Sequence, residues 1–280
     1  MITQALTVSA AVAIAERRSG RVDAGVRAGR ARTLMLRNAL ALRTNNALSF
    51  LTGFVEPVIF LLAFGYGVGA LVGTITYGGM TLPYAVYVAP ALLAVSAMNG
   101  AIFDSTFNVF FKMHYLRIYQ AITSTSLGPL DVALGEIGWA MLRGAMYAAG
   151  FLTVVTLLGL TTSWWALALV PAAMLIAFAF ASVGMAVTSY MSTFHQLNWM
   201  QFVLLPLFMF SGTFFPITAY PEWLQVVVAA TPLWQAIALT RGLFLGVLEP
   251  ALLIPVAYFA VMAAIGLIVT TRRLDRLFLR

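Results

Sequence analysis

The sequence predicts an all-α integral membrane protein with six transmembrane helices. Hydrophobic residues make up 62% of the 280 residues and charged residues only 9%. Soluble domains usually have about 45–50% apolar and about 25% charged residues. A helix needs roughly 20 apolar residues to cross the bilayer core. The chain therefore has room for several spans and for no sizeable soluble domain.

The spans are predicted from the apolar segments in chain order. These lie at about 50–72, 84–108, 132–160, 164–190, 199–217 and 251–271. No Asp, Glu, Lys or Arg occurs between residues 144 and 221, so two neighbouring spans and their loops are placed there only by hydropathy, aromatic residues and turn residues. The stretch TTSWW (Thr161 to Trp165) predicts the break between the two spans, because tryptophans favour the membrane interface. Residues 1–48 form an N-terminal region and residues 49–280 the transmembrane domain.

The distribution of cations predicts the orientation. Of the 16 Lys and Arg residues, eight precede the first span, two follow the second and four follow the sixth. By the positive-inside rule, residues 1–48, 109–131, 191–198 and 272–280 face the cytoplasm, with both termini there. The remaining two are Arg143, inside a span, and Arg241, on the outer side. The net charge of +7 is explained by this topology and by anionic head groups, without a nucleic-acid partner.

Sequence motifs for catalysis are few. Lys112 is the only lysine, and its surroundings FFKMHY lack the glycines and the Ser or Thr of a phosphate-binding loop. There is no cysteine, and His114 and His195 are too far apart in sequence to bind a metal unaided. The stretch GYGVGA (Gly65 to Ala70) lies inside a span, which favours close helix packing over nucleotide binding. We expect no catalytic, cofactor or metal site in this chain.

Four ionisable residues are predicted in or near the membrane: Glu56, Asp104, Glu136 and Arg143. A charge at the centre of a transmembrane helix is costly, so such residues usually face the interior and pair. One interpretation is an ion relay through Glu56. The other is structural pairing, in which Arg143 binds Glu56 or Asp104. The spans show no obvious inverted repeat of the kind that ion-coupled carriers often have, which favours structural pairing.

Two irregular stretches interrupt the spans. Tyr115 to Glu136, YLRIYQAITSTSLGPLDVALGE, is polar and hydroxyl-rich. A short surface helix there would offer Arg117, Tyr119 and Gln120 to a soluble partner; a solvated loop is the alternative. The second stretch, SGTFFPITAYPEWLQ at residues 211–225, contains two prolines at the end of an apolar run. Proline ends a helix and favours an extended backbone at the residue before it.

Four blocks of the sequence carry a family resemblance: YVAPALLAVSAMNGAIFDSTFNVFFKM, YQAITSTSLGPLDVALGEIGWAMLRG, FSGTFFPITAYPEWLQ and TPLWQAIALTRGLFLG. In order and spacing they resemble the permease subunits of ABC-2 type ATP-binding-cassette exporters, and within them the nodulation lipo-oligosaccharide and drug-resistance branch. The resemblance extends from about residue 34 to the C-terminus.

The resemblance assigns roles to the irregular stretches. It implies that residues 27–48 form a connecting helix along the inner leaflet, although that segment has no clean apolar face. It implies that residues 115–130 form a coupling helix on a separate ATPase, with contacts from Arg117, Tyr119, Gln120 and Thr123. Gln120 and Ser126 stand where relatives usually have Glu and Pro, and this difference bears on which ATPase is recognised.

The second stretch is implied to form re-entrant helices that cap an exit route from outside. A plain amphipathic loop is the alternative for that stretch. The residues implied in this cap are Pro216, Pro221, Trp223, Pro232 and Trp234.

The function implied is that of a non-enzymatic permease subunit in the cytoplasmic membrane. It would work as a homodimer with two copies of an ATPase that binds ATP and Mg. It would export a lipid, glycolipid, lipo-oligosaccharide or drug along the dimer interface, which spans one, two and five line. The alternatives are an ion-coupled carrier using Glu56 and Asp104, or a membrane assembly factor that transports nothing.

Overall fold

The computed structural model describes residues 31–44, 55–116, 118, 119 and 127–278. These residues are almost entirely helical, which confirms the predicted all-α membrane class. In chain order the elements are α1 (Ala31–Thr44), α2 (Val55–Val72), β1 (Thr74–Tyr77), β2 (Met80–Pro83), α3 (Tyr84–Tyr115), α4 (Pro129–Leu157), α5 (Trp164–Thr188), α6 (Phe194–Met209), α7 (Glu222–Ala229), α8 (Pro232–Leu245) and α9 (Pro250–Phe278).

Five described helices are long and apolar enough to cross a membrane, namely α2, α3, α4, α5 and α9. They correspond to the predicted spans one, two, three, four and six. The break between α4 and α5 contains the predicted TTSWW stretch, and Ser163 Oγ accepts a hydrogen bond from the backbone N–H of Trp165. The chain there ends one helix and caps the next within a few residues.

The predicted fifth span differs from the structure in its bounds. It was placed at 199–217, whereas α6 covers Phe194–Met209 and has 16 residues. At 1.5 Å per residue this helix is about 24 Å long, less than the roughly 30 Å of a bilayer core. After the helix has ended, Gly212 has a φ of 73°, a left-handed conformation that suits glycine. Beyond it, α7 and α8 are bent by 83° to each other, as in a broken span or a re-entrant loop.

The bundle has α3 and α5 at its centre. Over an 18-residue apolar stretch of each helix, 83% of the residues of α3 are buried, against 17% for α2 and 22% for α9, which lie at the periphery. Small residues bring these helices together, as is usual in membranes. A Cβ atom at Gly266 of α9 would overlap Ser182 Oγ of α5, and one at Gly144 of α4 would lie 2.7 Å from Ala177 Cβ of α5.

A short β-hairpin joins α2 to α3. Strands β1 and β2 pair antiparallel, and both residues of the intervening turn, Gly78 and Gly79, have positive φ. Two consecutive residues of positive φ are typical of the tight turns that match the twist of a hairpin. The hairpin was not predicted, and it places the ring of Tyr77 5.7 Å from that of Tyr87 on α3.

Candidate functional site

An ionic cluster lies at the end of the bundle that carries most of the cations. Its centre is Glu136 on α4, whose side chain is 5% exposed. The carboxylate accepts hydrogen bonds from Lys112 Nζ at 2.6 Å, Asn38 Nδ2 at 3.1 Å and Arg37 Nη2 at 3.4 Å. Since these donors lie on α3 and α1, one buried carboxylate links three helices. We call Arg37, Asn38, Lys112 and Glu136 the basic-end cluster.

Tyr119 extends this cluster into the predicted coupling stretch. Its side chain is fully buried, and its ring centroid lies 6.3 Å from that of Phe278 on α9. Burial raises the pKa of the Tyr119 hydroxyl well above its ordinary value, and the neighbouring Glu136 carboxylate raises it further. The ring of Tyr119 therefore contributes to packing inside the chain, whereas a contact of this stretch with an ATPase stays a prediction. Arg117, Gln120 and Thr123 lie outside the described residues.

Helix α1 packs against protein at this end of the bundle. Its Ala31, Leu34 and Asn38 are buried. A Cβ atom added to Gly135 of α4 would lie 2.7 Å from Leu34 Cβ, and one added to Gly138 would overlap the side-chain end of Met35. The absence of a clean apolar face in the sequence of this segment is therefore explained, because α1 buries a mixed surface against α4 and contributes Asn38 to the ionic cluster.

A second ionic site lies within the membrane-spanning region. Arg143 Nη1 of α4 donates to Asp104 Oδ1 of α3 at 2.6 Å, and Asn108 Nδ2 donates to the same oxygen at 2.6 Å. Arg143 Nε also donates to the Tyr147 hydroxyl at 3.1 Å. Glu56, at the start of α2, is exposed and forms no ion pair within the part of the chain that the structure describes. Of the two predicted partners for Arg143, the structure places Asp104 beside it.

The predicted cap residues begin three short helical elements. Pro216 precedes the 3₁₀ turn Ile217–Ala219, Pro221 precedes α7, and Pro232 is the first residue of α8. Trp223 is 70% exposed, whereas Trp234 is half-buried beside Gly212. We call residues 211–245 the cap, because they lie over the Tyr84 end of α3, opposite the basic-end cluster.

Arg241 of α8 anchors the cap, and its role was missed in the sequence. The residue is 4% exposed. Its guanidinium carbon lies 3.9 Å from the ring centroid of Tyr87 and 5.0 Å from that of Tyr77, and Nη2 donates to the Gly212 carbonyl at 3.1 Å. The sequence carries one signal of this role, since Arg241 is the single cation assigned to the outer side.

The fold and these sites define a class of protein: a helical integral membrane protein with an ionic cluster at one end and a proline-broken cap at the other. The chain belongs to the ABC-2 type transporter family, whose model matches residues 30–245. This confirms the resemblance seen in the sequence blocks. Membership of this family identifies the chain as the membrane permease of an exporter.

Several curated relatives carry the name Nodulation protein J. That of Rhizobium leguminosarum bv. trifolii is 33% identical over 211 residues, which cover 75% of this chain and 79% of the relative. That of Rhizobium leguminosarum bv. viciae is 30% identical over 246 residues, covering 87% and 93%. The protein of Rhizobium meliloti (strain 1021) is 30% identical over 211 residues, covering 75% and 79%.

Proposed function

We propose that the chain is the transmembrane subunit of an ATP-driven exporter in the cytoplasmic membrane. It works as a dimer with two copies of a separate ATPase, which supplies the ATP and Mg sites. The cargo is an amphiphile such as a lipid, glycolipid, lipo-oligosaccharide or drug. Residues 1–48 are the tail and connecting helix, and residues 49–280 are the transmembrane domain.

The observation that carries this proposal is the basic-end cluster. A chain without a phosphate-binding loop needs energy from another subunit. A displacement of residues 115–130 by that subunit would move Tyr119, which lies within them. Tyr119 is buried beside Glu136, and Glu136 holds both Lys112 and Arg37. Displacement of the coupling stretch would therefore be passed to α1, α3 and α4 together. In this proposal Arg117, Gln120 and Thr123 contact the ATPase, while Tyr119 positions the stretch that carries them.

The proposed dimer uses the outward faces of α2 and α6. Ile59 and Leu71 on α2 are 59% and 89% exposed, and Trp199 and Phe202 on α6 are 69% and 73% exposed. Faces of this kind contact either lipid or another transmembrane helix. We place the second copy there, so that the exit route runs between the two copies and is closed by the cap. The proposed cytoplasmic side carries both termini and residues 109–131 and 191–198.

The alternative of an ion-coupled carrier would use Glu56 and Asp104 as a relay. The described contacts give it little support, because Asp104 is bound by Arg143 and Asn108, while Glu56 is exposed and forms no described ion pair. A membrane assembly factor remains as the outcome in which no transport is found.

The test is a pull-down of the chain from native membrane, identification of the ATPase, and reconstitution of both in vesicles with candidate lipids and drugs. We expect substrate-stimulated ATP hydrolysis, and transport that requires both ATP and the ATPase. Transport that needs neither and follows an imposed pH gradient would establish the carrier instead. If neither energy source supports transport of any candidate, the assembly factor takes precedence.

A further inference from the structure

Arg241 is a buried cation without a carboxylate partner among the residues that the structure describes. Its residue exposure is 4%, and its Nε atom is buried with no hydrogen-bond acceptor in that part of the chain. Glu222 and Glu249, the acidic residues nearest in sequence, are both exposed and form no described ion pair with it. Buried charges are usually paired, because a desolvated ion without a counter-charge is costly.

The groups around the Arg241 guanidinium compensate its charge only in part. Two aromatic faces, those of Tyr87 and Tyr77, attract the cation through their ring quadrupoles. One neutral acceptor, the Gly212 carbonyl, is shared, since the Tyr87 hydroxyl donates to it at 3.3 Å while Arg241 Nη2 donates at 3.1 Å. An anion with two oxygens would satisfy the guanidinium better, because a planar fork of N–H donors matches carboxylate and phosphate groups.

The Gly212 carbonyl, which accepts the hydrogen bond from Arg241, belongs to an irregular segment of the cap. Ser211, Gly212 and Thr213 are buried but lie outside any helix, and Gly212 has a positive φ. The segment is also fixed by Tyr84, whose hydroxyl donates to the Phe214 carbonyl at 3.0 Å. Helix α8 has its own attachment to α3, in which Thr240 Oγ1 donates to the Pro90 carbonyl at 2.9 Å. Residues 211–214 could therefore leave Arg241 while Arg241 stays in place on α8.

We propose that Arg241 is a binding site for an acidic head group, a phosphate, sulfate or carboxylate, on an amphiphile at the cap. In the structure the guanidinium donates to the Gly212 carbonyl, and this is the closed state of the cap. An arriving anion replaces that carbonyl between Tyr77 and Tyr87, and residues 211–214 move away. This inference rests on the proposed exporter function and deepens it by naming a chemical feature of the cargo.

The experiment measures how accessible the cap segment is, and it needs neither ATP nor the ATPase. The chain has no cysteine, so Thr213→Cys introduces a single thiol at a position that is fully buried. The matched control is Thr218→Cys, at an exposed position elsewhere in the cap. The purified permease in dodecyl maltoside is treated with a maleimide, and dodecyl phosphate or inorganic phosphate is then titrated in.

We expect dodecyl phosphate to speed labelling of Thr213→Cys several-fold while leaving Thr218→Cys unchanged. Arg241→Gln should abolish the response, and Arg272→Gln, at an exposed arginine on α9, should keep it. A response that persists in Arg241→Gln, or that is absent from the otherwise unchanged chain, overturns the proposal. An equal response to inorganic phosphate overturns the assignment to an amphiphile, since free anions would then be the ligand.

A second variant serves if Arg241→Gln does not fold. Tyr87→Phe keeps the aromatic face and removes one of the two donors to the Gly212 carbonyl. The concentration of dodecyl phosphate for half-maximal labelling should fall about fivefold, the factor that one typical hydrogen bond represents. An unchanged concentration overturns the proposed exchange. Because the readout involves no ATP, its failure leaves the exporter function standing, and failure of ATP-driven transport leaves the labelling result interpretable.

Discussion

The guanidinium of Arg143 lies 2.6 Å from the carboxylate of Asp104 and joins α4 to α3 within the membrane-spanning region. Asp104 is the first residue of a π-helical turn, Asp104–Asn108, and the neighbouring Asn108 also donates to its carboxylate. Such turns often occur at functional positions in α-helices. The pair therefore combines two costly features, a buried carboxylate and an irregular helix, at one point of contact between α3 and α4.

Arg143→Ala should lower the stability of the permease in detergent. Removing one partner of a buried pair leaves the other charge uncompensated, at a cost of about 3 kcal/mol. Asp104→Asn should cost a similar amount, and the double variant should cost less than the sum of the two. The measurement is the thermal unfolding midpoint of each protein. Glu56→Gln is the control and should change little, because Glu56 is exposed. Strict additivity of the single variants would show that the two residues do not interact.

Glu136→Ala should destabilise the basic end more than the removal of either cation that it binds. The substitution leaves Lys112 and Arg37 without their shared carboxylate, whereas Lys112→Met leaves Glu136 paired with Arg37. We expect the unfolding midpoint to fall furthest in Glu136→Ala. Substrate-stimulated ATP hydrolysis should fall in both variants. An equal effect of Glu136→Ala and Lys112→Met on stability would contradict the central role of Glu136.

The spans, their order and the polar residues within them could be predicted because the membrane imposes a length and a polarity on each helix. Asp104, Glu136 and Arg143 were identified from the cost of charge in lipid alone. Which residues they contact could not be predicted, because pairing depends on helix rotation and on segments distant in sequence, such as Asn38. The burial of Tyr119 was missed for the same reason, since a polar stretch does not reveal which of its aromatic residues turns inward.

The glycines of α4 should set how closely α1 can pack. At Gly135 an added Cβ meets Leu34 Cβ, which cannot move without moving α1, whereas at Gly138 it meets the flexible end of Met35. Gly135→Ala should therefore cost about 1–3 kcal/mol through overpacking, and Gly138→Ala should cost clearly less. Unfolding midpoints of the two variants check this order. If Gly138→Ala is the more damaging, α1 does not lie on α4 in the membrane as it does here.

The orientation can be tested with single cysteines in intact cells. A cysteine at position 117 should react with a membrane-impermeant maleimide only after the cells are opened, because the cations that surround it are expected inside. A cysteine at position 218 in the cap should react from outside without opening. Labelling at position 117 in intact cells would contradict the predicted topology and would exclude residues 115–130 as the contact for a cytoplasmic ATPase.

The coupling stretch should respond differently at two neighbouring positions. Arg117 is expected to contact the ATPase, and arginine is among the residues that most often dominate interfaces. Arg117→Ala should therefore abolish substrate-stimulated ATP hydrolysis and transport while leaving the unfolding midpoint unchanged. Tyr119 is fully buried, so Tyr119→Ala should lower the midpoint by the equivalent of about 3 kcal/mol or more through the cavity it leaves.

Tyr119→Phe separates the packing of the ring from the hydroxyl beside Glu136. The ring contact with Phe278 is retained, so most of the stability should remain. If the hydroxyl helps to transmit movement to the basic-end cluster, ATP hydrolysis should persist while its stimulation by substrate falls severalfold. Full stimulation in Tyr119→Phe would limit Tyr119 to a packing role. Full stimulation in Arg117→Ala would remove Arg117 from the ATPase contact and leave Gln120 and Thr123 as the positions to change next.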